Sequence, residues 1–214
     1  MAEYQHICTM ILSEEIKNYN TILFDLGGVI ADLDYNNTIK AFQEKGCSNF
    51  HEIYSQALQT DLFDKYETGQ ISSPFFINKL KELIGVDCSP NEIVAAWNAM
   101  IKGFTAEKLD FLLQLKQEKT VGLLSNINDI HEEYANRKML EITDRKLVEH
   151  FDFMFFSHHI HLRKPHPETF LYVCEQMQVK PQDVLFIDDS QQHVEGAKKA
   201  GLNAILFPQN APFL

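Results

Sequence analysis

The chain has 214 residues, 45% of them hydrophobic and 23% charged, with a formal net charge of −11, enough for one sizeable core and a smaller second unit. The acidic balance argues against nonspecific nucleic-acid binding, which depends on neutralising phosphates with Lys and Arg, so a site for an anionic ligand has to be assembled locally from a metal, a lysine and backbone N–H groups. No run approaches a membrane span, and Cys8, Cys47, Cys88 and Cys174 are too few for a disulfide scaffold and lack metal-ligand spacing, so free thiols in a reducing cytoplasm are expected.

Segment 1–19 lacks the basic start and long apolar centre of a signal peptide and reads as an N-terminal extension with a short helix around residues 10–17. Residues 21–25 then form a short apolar run that ends in Asp25, followed almost at once by Gly27 and Gly28. This is the pattern of a buried strand that delivers a carboxylate to its C-terminal end, where open α/β sheets bind ligands. Residues 29–34 read as a compact flap.

From about residue 36 to residue 102 the apolar spacing is helical, and no strand is evident. Gly69 and Gly85 read as helix stops, Ser72 as an N-cap, and Ser89-Pro90-Asn91-Glu92 as a helix start with serine as cap and proline in the first turn. After residue 105 strands and helices alternate. Strands are expected at 120–126, 151–157, 183–189 and 203–207, helices at 105–117, 130–140, 167–177 and 192–200, and a loop at 158–164. Such alternation implies a parallel sheet with right-handed crossovers. Asp25 and Ser125 lie 100 residues apart, whereas a simple strand–helix–strand unit needs roughly 30, and the excess is the helical region. The expected architecture is α/β: a Rossmann-like parallel sheet core flanked by helices (20–34 and 103–214) with an inserted all-helical cap (35–102).

Four strand ends or adjoining loops carry distinctive polar groups: Asp25; Ser125 with Asn126; Arg163-Lys164-Pro165; and Asp188-Asp189. As a set they suit phosphoryl transfer, where positioning and charge stabilisation supply most of the catalysis. Asp25 would attack phosphorus. Asp25 and Asp189, with Asp188 as a direct or indirect contributor and a carbonyl near Gly27, would hold Mg²⁺, a hard cation suited to carboxylates. Ser125 and Asn126 would grip the phosphate, and Lys164 would neutralise charge on nucleophile and phosphoryl group.

Phe24-Asp25-Leu26-Gly27-Gly28-Val29, Leu123-Leu124-Ser125-Asn126, Arg163-Lys164-Pro165 and Phe186-Ile187-Asp188-Asp189, in this order, resemble the four signatures of the haloacid dehalogenase-like hydrolase superfamily. The resemblance spans about residues 21–207 and is nearest the branch of sugar-phosphate phosphatases that includes α-glucose-1-phosphatase. It implies a Mg²⁺-dependent phosphatase that acts on a small phosphorylated metabolite, such as a sugar phosphate, through a phospho-aspartyl intermediate. It implies no nucleic-acid or membrane partner and leaves the oligomeric state open.

Two positions depart from the family pattern. Gly27 stands where relatives usually carry the aspartate that protonates the leaving group, and His161 stands where a glycine is common. A substitute acid would have to come from the flap or the cap, although Asp32 and Asp34 read more simply as loop or helix-start residues. A 2-haloacid dehalogenase, a phosphosugar mutase and a non-catalytic binding protein stay open as alternatives. Dehalogenation has little use for Asp188-Asp189, and a mutase needs the acid missing at Gly27. His158, His159, His161 and His166 crowd one loop without a paired spacing that would set them around one ion. Trp97 reads as cap core with a possible place in a pocket wall.

Overall fold

The computed structural model describes Leu12 and residues 14–57 and 61–213, with the side chains of residues 55–57 set aside. Strand β1 (Thr21–Phe24) lies at the centre of a five-stranded sheet completed by β4 (Thr120–Ser125), β5 (Phe153–Phe156), β6 (Val184–Asp188) and β7 (Asn203–Leu206), in the order β5-β4-β1-β6-β7. Every pairing in this sheet is parallel, with Thr21 level with both Thr120 and Val184. β1, β4 and β6 read as continuous apolar runs because a strand buried on both faces has no polar alternation to show.

The pleat divides the core in two. Ile22, Phe24, Val121, Leu123, Leu185 and Ile187 pack on one face, where Leu109 and Leu112 from helix α6 (Ala106–Leu115) and Ala135 and Met139 from α7 (Asp129–Leu140) meet them. Leu23, Leu124, Val184 and Phe186 point the other way, onto α9 (Pro167–Met177) and α10 (Gln191–Lys199). Ile22, Leu23 and Phe24 are fully buried, and each such side chain contributes roughly 1.5–3 kcal/mol. Of the helix expected around residues 10–17, Leu12 and residues 14–17 are helical; Leu12 and Ile16 are buried in the first of these cores, and the remaining positions, like Cys8, lie outside the described residues.

Between β1 and β4 run α1 (Tyr35–Glu44), α2 (Phe50–Ala57), α3 (Leu62–Glu67), α4 (Ser73–Ile84) and α5 (Pro90–Asn98), around their own apolar cluster of Phe42, Phe50, Phe63, Phe76 and Trp97. Gly85 ends α4 in the left-handed conformation at φ 65°, which glycine adopts without penalty. Ser89 and Glu92 form a reciprocal capping box at the start of α5.

Two expectations need correction. The region to residue 102 is not strand-free: β3 (Ile101–Gly103) pairs antiparallel with β2 (Asp32–Leu33) in the flap. Two- and three-residue strands carry no periodicity, and their pairing is non-local. Residues 158–164 are not wholly loop either, since α8 (Ser157–Ile160) makes one helical turn directly after β5. It ends at His161, whose φ of 58° is left-handed, the conformation a glycine would favour there. Cys47, Cys88 and Cys174 are free and buried. No helix among the described residues is long and apolar enough to cross a membrane.

Candidate active site

The C-terminal ends of β1, β4 and β6 open onto a cavity of about 520 Å³ lined by Asp25, Gly27, Ser125, Asn126 and Asp189 from the sheet side and by Tyr54, Glu67 and Trp97 from the helical region. Lys164 reaches the same strand ends from the segment between α8 and α9. Its Nζ donates to Asp25 Oδ1 at 2.6 Å, Asp188 Oδ2 at 2.7 Å and the Leu124 carbonyl at 2.9 Å. An ammonium has three hydrogens, and these three acceptors use them all. Lys164 has no solvent exposure.

Asn126 holds this lysine from behind. Its Nδ2 donates to the Lys164 carbonyl and its Oδ1 accepts the Lys164 N–H, both at 2.9 Å. Asp188 is fully buried and heavily engaged: besides Lys164, it accepts the Ser190 N–H at 2.8 Å and lies 3.0 Å from His193 Nδ1. Ser125 is buried at the end of β4, on the cavity wall.

The electrostatics follow from crowding three carboxyls into a buried corner. Burial raises the Asp25 pKa to about 7; Lys164 pulls it down, while Asp188 and Asp189 push it up. Burial, then the charge of Asp188, raises Asp189 to about 6. Burial also works against ionised Asp188, but Lys164 and His193 outweigh it and hold its pKa at about 2. Lys164 likewise stays protonated because the two carboxylates outweigh its burial. Asp25, Asp188 and Asp189 bring carboxylate oxygens within 4.8 Å of one another. When ionised they carry three negative charges, against the single positive charge of Lys164. That donor set and its surplus charge fit a hard divalent cation such as Mg²⁺.

Beside this group the backbone at position 28 calls for glycine. Gly28 has φ 79°, and a Cβ there would lie 2.1 Å from Asp189 Oδ2. At Gly27 the space that a side chain would enter is held by Leu33, whose Cδ1 would lie 2.6 Å from a Cβ. The flap acids do not fill the gap. Asp32 Oδ1 accepts from Lys108 Nζ at 2.9 Å, and Asp34 caps α1 through the Asn36 N–H.

Besides Trp97 and Arg163, the structure brings to the cavity Glu67, His131 and His193, which the sequence did not single out. Glu67, at the end of α3, is the one carboxyl residue from the helical region among the described residues lining it. Burial raises its pKa despite the opposing charge of Arg163, whose Nη2 lies 2.9 Å from Glu67 Oε2. Arg163 Nη1 also pairs with Asp64. His131 stacks on Trp97 at 5.3 Å, and both line the cavity. His193 was visible only as a histidine five positions after Asp188, a spacing that acquires meaning once α10 starts at Gln191.

A family model described as haloacid dehalogenase-like hydrolase matches residues 19–201. A D-ribitol-5-phosphate phosphatase of Bacteroides thetaiotaomicron is 30% identical over 195 residues, covering 91% of this chain and 93% of the relative. A haloacid dehalogenase family enzyme from the same organism, solved as a magnesium complex, superposes with a TM-score of 0.84 at 30% identity over 90% of this chain and 95% of the other. A similar hydrolase from Porphyromonas gingivalis gives a TM-score of 0.82 at 27% identity, covering 90% and 93%.

Proposed function

The chain belongs to the haloacid dehalogenase-like hydrolase family, and we propose that it is a Mg²⁺-dependent phosphatase of a small phosphorylated polyol or sugar. The observation that carries this reading is the buried Asp25–Lys164–Asp188 contact behind the cavity wall, with Asp189 beside it. The name of the ribitol-phosphate phosphatase relative supports the substrate class, and the magnesium complex of the related structure supports the metal.

In this reading Asp25 attacks phosphorus, so that an aspartyl O–P bond forms as the bond to the leaving oxygen breaks. Lys164 fixes Asp25 through Oδ1 and offsets charge, and Asn126 keeps Lys164 in place through its backbone. Ser125 binds a phosphate oxygen. Asp25, Asp189 and the backbone at Gly27 would hold Mg²⁺, with Asp188 orienting Lys164 or contributing directly; the metal would supply Lewis-acid neutralisation of the phosphoryl oxygens. Glu67 takes the role vacant at Gly27. It gives its proton to the leaving oxygen and, as the carboxylate, accepts a proton from the water that hydrolyses the aspartyl phosphate. Helices α1–α5, as the cap, select the substrate.

The test is phosphate release from an aryl phosphate and a panel of pentitol and sugar phosphates, with Mg²⁺ and with chelator. Activity that needs Mg²⁺ and disappears in Asp25→Asn is expected. Full activity in that variant would sink the assignment. Halide release from a haloacid, insensitive to chelator, would replace it with dehalogenation.

A further inference from the structure

A second cluster of ligand side chains lies outside the Asp25 cavity. Asp129 and Glu132 stand on the first turn of α7, and His158 and His159 on α8. The ligand atoms of Asp129, His158 and His159 all lie within 4.8 Å of one another. His158 Nε2 is 3.3 Å from Asp129 Oδ1 and 3.0 Å from Glu132 Oε2, and His159 Nε2 is 3.4 Å from that same Glu132 oxygen. In a four-coordinate zinc site with bonds of roughly 2.0–2.1 Å, neighbouring ligand atoms are about 3.3 Å apart. The separations from His158 Nε2 to the two acids and from His159 Nε2 to Glu132 are therefore close to three of the six edges of such a tetrahedron.

The tautomer of His158 is settled by its other nitrogen. Nδ1 lies 2.8 Å from the Ile127 carbonyl, and a carbonyl only accepts, so the hydrogen is on Nδ1. In the neutral ring Nε2 then carries a bare lone pair facing two carboxylates. That arrangement is repulsive unless a positive charge stands among them, either a second ring proton or a cation. A histidine whose remote N–H is anchored on a carbonyl is oriented as metal-binding histidines are. His158 is buried and stacks on Phe156 at 5.9 Å, whereas Asp129 and His159 are exposed and leave an entry from solvent. The remaining oxygen of Asp129 is oriented by the helical region, since Oδ2 accepts from Ser73 Oγ at 3.2 Å.

The geometry points to a zinc-class site formed by His158 Nε2, His159 Nε2 and the carboxylates of Asp129 and Glu132. Mixed nitrogen and oxygen donors of this kind suit Zn²⁺ and Co²⁺ and do not suit Mg²⁺, which prefers oxygen ligands. An ion here would join α7 to α8 and, through Ser73, tie both to α4, on the segment that leads directly into Arg163 and Lys164.

The test is titration of the whole chain with Co²⁺ in a large excess of Mg²⁺, which keeps the Asp25 carboxylates occupied. One equivalent of Co²⁺ with the intense visible absorption of a four-coordinate ion is expected. His159→Ala and Glu132→Gln, both on the accessible side, should each weaken it by at least about 10-fold, and Asp189→Asn should leave it unchanged. Weak six-coordinate absorption in the parent protein, an unaltered titration in His159→Ala, or loss of the signal in Asp189→Asn would overturn the proposal. The spectrum is independent of turnover, so failure of the phosphatase assignment leaves this result readable.

Discussion

Nζ of Lys164 lies 2.6 Å from Oδ1 of Asp25, and no solvent reaches the ammonium. Breaking a buried charge pair by removing one partner typically costs about 3–5 kcal/mol, because the other charge stays buried. Lys164→Met strands two carboxyls, Asp25 and Asp188. In the parent protein Asp188 has a folded pKa of about 2, below its ordinary value; its stabilising contribution is present above that ordinary value and is lost as pH falls through about 2. Without the lysine the sign reverses. That reversal is at Asp188; Asp25, already raised to about 7 in the parent, loses the one charge that pulls it down and rises further, so the variant regains stability as pH falls. We expect phosphatase activity to drop by on the order of 10²–10³ or more, and the urea midpoint deficit against the parent to be larger near pH 8 than near pH 5. An equal deficit at both values would contradict this account.

Glu67 faces the cavity with a carboxyl that burial keeps above its usual pKa. If it protonates the leaving oxygen, its value depends on how poor the leaving group is. Glu67→Gln should lower kcat/KM, which reports the transfer to Asp25, by about 10²-fold or more for alkyl phosphates, within the range of general acid catalysis. For an aryl phosphate, whose leaving oxygen needs no proton, kcat/KM should be nearly unaffected even where slower hydrolysis of the aspartyl phosphate lowers kcat. A series of kcat/KM values over leaving-group pKa measures this directly, and a uniform fall of kcat/KM across the series would make Glu67 a binding group instead.

His131 gives the fold a second acid-sensitive point, on the cavity wall beside Trp97. Its Nε2 lies 3.2 Å from the Trp97 carbonyl and its Nδ1 3.3 Å from Asn128 Nδ2, a pattern satisfied by the neutral ring with its hydrogen on Nε2. Burial lowers its pKa to about 4, against a small opposing pull from the Trp97 carbonyl. With the folded value below the unfolded one near 6.5, the contribution is complete above about pH 6.5 and is lost as pH falls toward about 4. At about 1.4 kcal/mol per unit, this amounts to on the order of 3 kcal/mol. Denaturant titrations of the parent and His131→Gln should converge as the pH drops from about 7 to about 4; parallel curves would refute the linkage.

The sheet and its catalytic edge were legible because β1, β4 and β6 are short apolar runs that stop at polar residues, and that stop is what puts Asp25, Ser125 and Asp188 at one edge. The helix start at Ser89-Pro90 was legible for a similar local reason, and the structure adds the reciprocal bond with Glu92. What escaped depends on distant partners. The β2–β3 ribbon joins residues about seventy positions apart. Glu67 reads as one more acid at a helix end until the cap is folded over the sheet. The histidines of α8 read as crowded because the acids that face them lie on α7, nearly thirty residues earlier. His161 is a mixed case: as a departure from glycine it drew attention, and its left-handed backbone shows why glycine suits the position.

The position of β1 in the middle of the sheet also sets a timetable. Its partners are β4, whose Thr120 pairs with Thr21, and β6, whose Val184 does the same. At a synthesis rate of roughly 5–20 residues per second, the first of them leaves the ribosome about 5–20 s after β1. Helices α1–α5 emerge in that interval with an apolar cluster of their own and can condense while the Ile22-Leu23-Phe24 run has no neighbouring strand. The strand that ends with a partner on each side therefore waits through the synthesis of about a hundred residues for the first of them, and its apolar run has to be shielded in the meantime.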